Sequence, residues 1–553
     1  MLKIATATFF LIMMIFLFCS GSPHIGDFDA GEFYKIAITG GISHPPGYPI
    51  YCLFNRIIYL ASGSLEVFPF WRFNAFLTLI AAFIFYHYLL HQRFGLLGLA
   101  SLAIVFLAPS IWRSATNIEP FALHHLLVVI AILMAEKFET HSDKKTYCLI
   151  WGFIFGLAFC HHHLFAMLLP GTLWCLRRKI SVHRGSAFIL GSLLGLLPII
   201  YFIFARKGGF IWGNWDPFIA NLLKHLFRTQ YGTVNLGLGN DGQLMMGLYY
   251  FGKLLALHLG GLGAALAVLG IYQQVRQGLL SLRDQWLLCG TCLAGPLFFC
   301  LARIDGSDIW MEVLSRFIGT SCLLLLPFIA VGIRSLGEKA KLTGVIIVLF
   351  QGVLQLPYNW RQNESFTEDH IQNLINTVAS EGKTEAFLVT FHELEFMGFL
   401  HYSAKHGLPP HLKVAHHPMW GAAWYRQQAF ETKEASFEFW LRKKLNLGTR
   451  IYFTSGVKRF AHIVANSYPI GPTIRIRAPG SSLPSGSLNF KRNKLLLQTF
   501  RTIPHEVATT WEKTVFDSYT RTWLSLGNKL EDENNKKLAL EAIQIASGFQ
   551  ESE

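Results

Sequence analysis

The feature that most constrains this chain is a series of apolar runs, each about 16–22 residues long, that ends near residue 358. A helix that crosses a bilayer needs roughly 20 apolar residues, so these runs are long enough to be membrane spans. The 553 residues are 52% hydrophobic and only 15% charged, whereas soluble domains carry about 25% charged residues. The sequence therefore predicts a polytopic membrane protein, and it excludes a soluble globular enzyme and a disordered chain.

The predicted fold is mainly α and polytopic, with about eleven transmembrane helices. The spans are predicted at about 4–20, 69–91, 95–111, 120–136, 146–161, 163–177, 186–205, 246–275, 285–302, 317–334 and 341–358. Lys and Arg gather in the short loops after alternate spans, which places these loops in the cytoplasm if the N-terminus is cytoplasmic. The residues from about 359 onward are then extracytoplasmic. Three successive histidines at 161–163 divide the stretch 146–177 into two short spans, and one merged span would reverse the orientation of everything downstream.

The net charge of +14 comes largely from these short loops. Because the basic residues do not gather on one polar face, they do not form the pattern of a nucleic-acid-binding protein. We therefore predict a lipid bilayer as a partner and no nucleic acid.

The pattern changes after the last span, which suggests three domains at 1–358, 359–480 and 490–553. The first is the transmembrane domain. The second has short apolar strands alternating with helices, at about 386–391, 412–415 and 450–454, and is predicted to be an extracytoplasmic α/β domain. A Gly-, Ser- and Pro-rich linker at 478–489 precedes a helical tail, in which 523–542 resembles a single tetratricopeptide (TPR) unit.

Acidic residues cluster in the first long outer loop, just beyond an apolar span. Asp27, Asp29 and Glu32 fall within six residues, and ionisable groups close to a bilayer usually have a task. A helix that starts near Asp29 would place Asp29 and Glu32 on one face. Asp29 is then either the N-cap of that helix or a reacting carboxylate, and the pattern alone leaves both interpretations open.

The acidic cluster is followed by a proline-rich turn, His44-Pro-Pro-Gly-Tyr-Pro49. Three prolines and a glycine fix a rigid, non-helical turn before the next apolar run. His44 at its start is a candidate phosphate donor or proton carrier, although a histidine by itself is more often structural.

Together these two segments resemble the signature of a bacterial membrane family long without a known function. That family is related to the eukaryotic transmembrane O-mannosyltransferase that modifies plexin-type receptor domains, and both belong to the GT-C class of membrane glycosyltransferases. Further segments resemble later parts of the same pattern: Trp112-Arg-Ser-Ala-Thr-Asn-Ile-Glu119, Gly156-Leu-Ala-Phe-Cys-His-His-His163, Leu169-Pro170, Trp212-Gly-Asn-Trp-Asp-Pro217, Gln230-Tyr-Gly232 and Arg316-Phe317. The resemblance covers roughly residues 20–360, and the tail only loosely.

The resemblance implies an inverting transfer of a monosaccharide, a hexose such as mannose, from a polyprenyl-phosphate carrier to an extracytoplasmic acceptor hydroxyl. Asp29 is expected to be the general base, with Glu32 second. Glu119 could line the same cavity, or it could simply be a carboxylate favoured by the dipole at a helix N-terminus. The resemblance further implies an acceptor that is a protein or a glycan, and a place in the bacterial cytoplasmic (inner) membrane.

The leaving phosphate needs positive donors as charge develops on it. The candidates are His44, His162, Arg206, Lys207 and Arg316. Arg206 and Lys207 end a span and could equally be head-group anchors, and Arg316 could be a structural charge beside Glu312. Trp212 and Tyr231 are either membrane-interface aromatics or a platform on which a sugar stacks.

Metal binding and two other functions are alternatives to the glycosyltransferase hypothesis. Three successive histidines on a helix point 100° apart and cannot converge on one ion, so no metal ligands are predicted, while dependence on a divalent metal stays open. A ligase or polymerase of lipid-linked glycans is one alternative function. A membrane transporter or flippase is the other, but transporters tend to have internal repeats and mid-membrane charges, and neither is evident in this sequence.

Overall fold

The computed structural model describes most of the chain. The described residues are 2–26, 28–141, 145–179, 182–229, 244–302, 308–336, 366–463, 466–478, 480–501 and 510–549, with isolated helical residues at 342, 346, 350, 354–356 and 359. The chain forms two compact units. The membrane unit consists of Met1–Pro23 and Thr39–Asn363, and the C-terminal unit consists of His24–Ile38 and Glu364–Glu553.

Within the described residues, the membrane unit has seven helices that are long and apolar enough to cross a membrane. They are Leu2–Ser20, Phe68–Phe94, Phe121–Thr140, His183–Ala205, Met245–Arg276, Leu282–Leu301 and Ile318–Ser335. These helices match seven predicted spans, which confirms a multi-pass membrane protein of mainly helical fold. The long helix Leu244–Arg276 contains one break in its helical backbone, at Gly260, whose φ is 66°.

Three other predicted spans have a different form. The span predicted at 95–111 is a bent pair, Leu96–Phe106 and Pro109–Thr116, whose axes differ by 68°; Ala108, the residue before Pro109, is extended, as proline favours for its predecessor. The histidine interruption separates the helix Lys145–His161 from the 3₁₀ turn His163–Leu168 and the helix Leu169–Lys179. The span predicted at 341–358 lies mostly outside the described residues.

Shorter elements complete the membrane unit. Its other helices are Pro49–Ser62, Phe218–Leu226 and Asp308–Ser315. Two short strands, β1 (Gly41–Ile42) and β2 (Phe210–Ile211), pair in parallel. This pairing joins two loop segments that are 169 residues apart in the sequence.

The C-terminal unit is built on a five-stranded sheet, which confirms the predicted α/β region. Its strands are β3 (Ala386–Thr390), β4 (Leu412–His416), β5 (Arg450–Phe453), β6 (Asn466–Ile470) and β7 (Thr473–Arg477), in the order β4-β3-β5-β7-β6. β4, β3 and β5 run parallel, whereas β6 and β7 form an antiparallel hairpin beside β5. The hairpin was not predicted, although the alternation in Thr473-Ile-Arg-Ile-Arg477 is a strand signal.

Helices cover both faces of this sheet. Beyond residue 363, the described helices of this unit are Thr367–Ser380, Glu393–Lys405, Ala423–Phe430, Phe437–Asn446, Gly486–Leu497, Thr510–Asp532 and Lys536–Gly548. The helix Gly486–Leu497 begins within the predicted linker, where the Ser485 side chain caps it by accepting a hydrogen bond from the Leu488 N–H. The last two helices bury Trp523 against Ala539 and Ala542.

Candidate functional site

The acidic segment that follows the first span forms a short helix, Ala30–Thr39, whose start lies next to Asp29. The Asp29 carbonyl accepts hydrogen bonds from the N–H groups of Glu32 (3.0 Å) and Phe33 (3.1 Å), so Asp29 occupies the N-cap position. Its side chain is half-buried, whereas Glu32 is fully buried. A carboxylate in this place can serve as a cap and still be reached by another molecule.

This helix packs closely on the helix Glu393–Lys405 of the same C-terminal unit. A Cβ on Gly31 would lie 1.9 Å from the Met397 carbonyl oxygen, so only glycine permits this approach. One turn further on, the Tyr34 ring lies 4.4 Å from the ring of His401. Lys35 Nζ donates a hydrogen bond of 2.8 Å to Ser403 Oγ. The segment 24–38, which carries Asp29 and is called the signature segment below, is therefore fixed by residues more than 360 positions away in the sequence.

A buried carboxylate, Glu368, binds His24 at the start of the signature segment. It forms ion pairs with His24 (3.3 Å), Lys405 (3.2 Å) and His406 (3.3 Å) while itself being only 6% exposed. Burial opposes ionisation of Glu368, but the hydrogen bond to His24 and the nearby positive charges prevail and lower its pKa. In turn, the hydrogen bond to Glu368 outweighs burial and raises the pKa of His24 above 6.5.

In the membrane unit, the proline-rich turn places His44 among aromatic rings. The ring of His44 lies 5.3 Å from that of Tyr48 and 5.9 Å from that of Trp212. The Trp212 N–H donates to the Ile42 carbonyl over 2.9 Å, which extends the pairing of β1 with β2. The pairing of β1 with β2 therefore makes neighbours of His44 and Trp212, two residues that the sequence predicted for the donor site.

The same aromatic cluster continues from Tyr48 to the other predicted residues. Tyr48 lies 5.7 Å from His162, and His162 lies 5.2 Å from Phe121. The guanidinium of Arg316 lies 5.8 Å from the centre of the Phe121 ring. His44, His162 and Arg316 are therefore linked through Tyr48 and Phe121.

Arg316 also pairs with Glu119, another predicted site residue. Arg316 Nη1 lies 3.4 Å from Glu119 Oε1, and the two side chains are 13% and 5% exposed. Glu312, which lies near Arg316 in the sequence, accepts a 3.1 Å hydrogen bond from Arg113. The predicted residues Trp212, His44, His162, Arg316 and Glu119 thus form one continuous group, which we call the histidine–arginine cluster.

The remaining predicted residues lie apart from this cluster or outside the description. Arg206 and Lys207 are exposed, and the Arg206 guanidinium lies 5.5 Å from the ring of Phe218. Trp212 is only 5% exposed. Tyr231 lies outside the described residues.

Sequence reasoning missed two polar residues that support this cluster. The amide of Asn74 donates to the Tyr51 hydroxyl (2.9 Å) and to the carbonyls of Asn117 (2.6 Å) and Glu119 (2.9 Å), so it fixes the backbone that carries Glu119. An asparagine within an apolar span is a signal that could have found it. His225, only 3% exposed, lies beside the His44 turn, and burial, with a smaller contribution from His44, lowers its pKa to about 3.

The sequence of this chain is similar to that of a known family and of its curated members. Residues 29–98 and 92–184 match the family described as the protein O-mannosyl-transferase TMEM260 N-terminal domain. The chain is 23% identical over 435 residues to protein O-mannosyl-transferase TMEM260 of Mus musculus, which covers 72% of this chain and 60% of the relative. It is also 23% identical over 376 residues to the Dictyostelium discoideum protein of that name, covering 60% of this chain and 45% of the relative. The chain thus spans about half of the length of these relatives.

Two solved structures resemble the fold. Both are of ArnT from Cupriavidus metallidurans, one in the apo state and one bound to undecaprenyl phosphate. The apo structure has a TM-score of 0.58 at 10% identity and covers 86% of this chain and 97% of ArnT. The bound structure has a TM-score of 0.52 at 11% identity and covers 87% and 99%. The resemblance drawn from the sequence motifs is confirmed: the chain is a multi-pass membrane protein of GT-C-like fold, and its residues 29–98 and 92–184 are similar to the N-terminal domain of TMEM260-type proteins.

Proposed function

We propose that this protein is an inverting membrane glycosyltransferase. It moves a monosaccharide, a hexose such as mannose, from a polyprenyl-phosphate carrier to an acceptor hydroxyl outside the cytoplasm. The match to the TMEM260-type domain carries this proposal, because it begins at Asp29 and includes His44, Glu119 and His162. The names of both relatives support a sugar transferred to a protein hydroxyl, and the ArnT complex with undecaprenyl phosphate supports a lipid-phosphate donor.

In the proposed reaction Asp29 takes the proton of the acceptor hydroxyl. The hydroxyl oxygen forms a bond to the anomeric carbon while the bond from that carbon to the phosphate oxygen breaks. This single displacement inverts the anomeric centre and releases the polyprenyl phosphate. The half-buried position of Asp29 suits this role, since a base must come within hydrogen-bond reach of the proton it removes.

Negative charge develops on the departing phosphate, and the histidine–arginine cluster supplies donors for it. Arg316 is the strongest candidate, because its guanidinium is mostly buried and can approach a phosphate with two parallel N–H groups. Glu119 would hold Arg316 in place and so act as a positioning residue. His44 and His162 add imidazole N–H donors around Tyr48.

The substitution Asp29→Asn tests the proposed base. Asparagine keeps the size and capping ability of aspartate but cannot take up a proton, so a mere cap would tolerate it. Loss of the base should lower transfer from a mannosyl polyprenyl phosphate by on the order of 10²–10⁴-fold. Folding and donor binding should be unchanged, and Asp532→Asn, an exposed carboxylate in the last described helical hairpin, is the matched control. Near-normal turnover of folded Asp29→Asn protein would remove Asp29 from the chemistry.

We also propose that the protein lies in a bacterial cytoplasmic (inner) membrane with the C-terminal unit outside the cytoplasm. The distribution of Lys and Arg among the short loops supports this orientation. Reporter fusions at about 180 and 362 should report opposite compartments, with 180 inside. A cytoplasmic signal at 362 would overturn the orientation and, with it, the proposed side of transfer.

A further inference from the structure

The C-terminal unit contains a cleft of about 580 Å³ at one edge of its sheet. Phe391 and His392, which line the cleft, directly follow β3. His417 follows β4, and Ser455 and Gly456 lie just beyond the end of β5. Because parallel strands end at the same edge of a sheet, all three loops open into the cleft.

The order of these strands explains why a cleft forms here. β3 comes first in the chain but lies between β4 and β5. Leu388 and Val389 are neighbours in β3, so their side chains lie on opposite faces of the sheet. The helix that follows β3 contributes Phe399 to the core that contains Leu388. The helix before β5 contributes Trp440 to the core that contains Val389. The connection that leaves β3 and the connection that leaves β4 therefore pass over opposite faces of the sheet. Ligands of open α/β sheets bind at such a switch point, beyond the carboxyl ends of the strands.

The far wall of the cleft is one face of the helix Thr510–Asp532. It contributes Thr514, Asp517, Arg521 and Leu524, which are spaced three or four residues apart and so lie on a single helical face. Thr520 lines the cleft beside them. The cleft is thus enclosed by parallel strand ends and by a helix that comes more than 50 residues later in the chain.

The lining is polar and, on balance, positively charged. Among the described residues that line the cleft, Arg459 and Arg521 contribute two guanidinium groups and Asp517 contributes one carboxylate, while His392 and His417 add imidazoles. Burial, and then the positive charge of Arg459, lower the pKa of His417, because the nearby guanidinium disfavours the protonated imidazole. These groups favour a ligand that carries negative charge.

The other lining groups suit a small polyhydroxylated molecule. Ser455, Thr514 and Thr520 offer hydroxyls that both donate and accept hydrogen bonds. Phe391 stacks on His417 with ring centres 4.9 Å apart, which provides a flat surface beside them. The volume falls in the range of about 300–1,000 Å³ that small-molecule sites occupy.

We propose that this cleft is a second, non-catalytic binding site for an acidic sugar, a monosaccharide or disaccharide that carries a carboxylate or a phosphate. Arg459 and Arg521 would hold the anionic group, and the hydroxyl-bearing residues would hold the sugar ring. No residue of the histidine–arginine cluster contributes to this site, nor does Asp29.

The test measures ligand binding directly, so that it does not depend on any transfer reaction. The purified full-length protein in detergent is titrated calorimetrically with glucuronic acid, glucose 6-phosphate, inorganic phosphate and neutral glucose. Saturable binding of glucuronic acid or glucose 6-phosphate, tighter than that of glucose and of inorganic phosphate, is expected. The first two probes separate the carboxylate from the phosphate form of the ligand.

Variants assign the binding to the cleft. Arg459→Gln and Arg521→Gln should each weaken binding by about tenfold, the effect of losing one charge-assisted hydrogen bond. Arg442→Gln, which removes an exposed arginine that does not line the cleft, should leave binding unchanged. Both cleft arginines are exposed, so their loss should not affect folding, which thermal unfolding checks. Absence of saturable binding, equal binding of glucose, inorganic phosphate binding as tightly as the sugars, or insensitivity to both cleft variants would overturn the proposal.

Discussion

Replacing Gly31 by alanine tests whether the signature segment is fixed by the C-terminal unit. Gly31 lies in the first turn of the helix Ala30–Thr39, where alanine is intrinsically better than glycine by about 0.5–1 kcal/mol. The new methyl carbon, however, would lie 1.9 Å from the Met397 carbonyl oxygen. An ordinary contact needs at least 3.4 Å, so the two helix backbones would have to separate by about 1.5 Å.

The clash should outweigh the gain in helix propensity. Overpacking of this kind costs typically about 1–3 kcal/mol, and here the obstacle is backbone rather than the end of a flexible side chain. We therefore expect a lower free energy of unfolding and faster hydrogen exchange in residues 24–38. A displacement of about 1 Å in a reacting group can lower a rate by about 10²-fold, so transfer should fall strongly if Asp29 is the base.

Gly548→Ala is the matched control for this experiment. Gly548 is also helical and in the same unit, but a Cβ there meets nothing within 4 Å, so alanine should be neutral or slightly stabilising. Thermal unfolding, hydrogen exchange and transfer are measured for both variants. If Gly31→Ala stabilised the protein as Gly548→Ala does, the close approach of the two helices would be refuted.

Two further predictions concern charged groups. Arg316→Lys keeps the charge but loses the planar, two-pronged guanidinium, so the rate of sugar transfer should fall by about tenfold or more. Arg113→Lys, in an ion pair of similar burial, is the control and should leave the rate unchanged. Equal turnover of both variants would exclude Arg316 from the phosphate site. The pKa of His24 is raised, chiefly by its hydrogen bond to Glu368, so the stabilisation by this contact is complete below pH 6.5 and is lost as the pH rises through the higher pKa of the folded state. Hydrogen exchange of residues 24–38 should therefore accelerate as the pH rises through that value, by more than the intrinsic increase of exchange with pH. His24→Asn should abolish this extra acceleration. If the pH profile of the variant matched that of the wild type, the His24–Glu368 contact would not be its cause.

The membrane spans could be predicted because one physical requirement dominates them. A bilayer offers no partner for backbone N–H and C=O groups, so a spanning segment must be helical, apolar and long. The exceptions have local causes that the hydropathy does not report. The bend between Leu96–Phe106 and Pro109–Thr116 occurs at Ala108, next to a proline.

The candidate site could be predicted in part. The motifs pointed to His44, His162 and Arg316, and the structure links them through Tyr48 and Phe121. What the sequence could not supply was pairing at long range. Arg316 pairs with Glu119, 197 positions away, because helix packing brings distant residues together.

The position of residues 24–38 changes how the C-terminal unit should be studied. Gly31 and Tyr34 contact Met397 and His401, so the segment that carries Asp29 is built into that unit rather than only preceding it. A chain cut after residue 363 would leave these groups without their partners. Loss of transfer in such a truncation would then report a displaced Asp29 as readily as the loss of the cleft that we propose to bind an acidic sugar. Single substitutions at the helix contact and at the cleft arginines distinguish these causes, because the two sets of residues do not overlap.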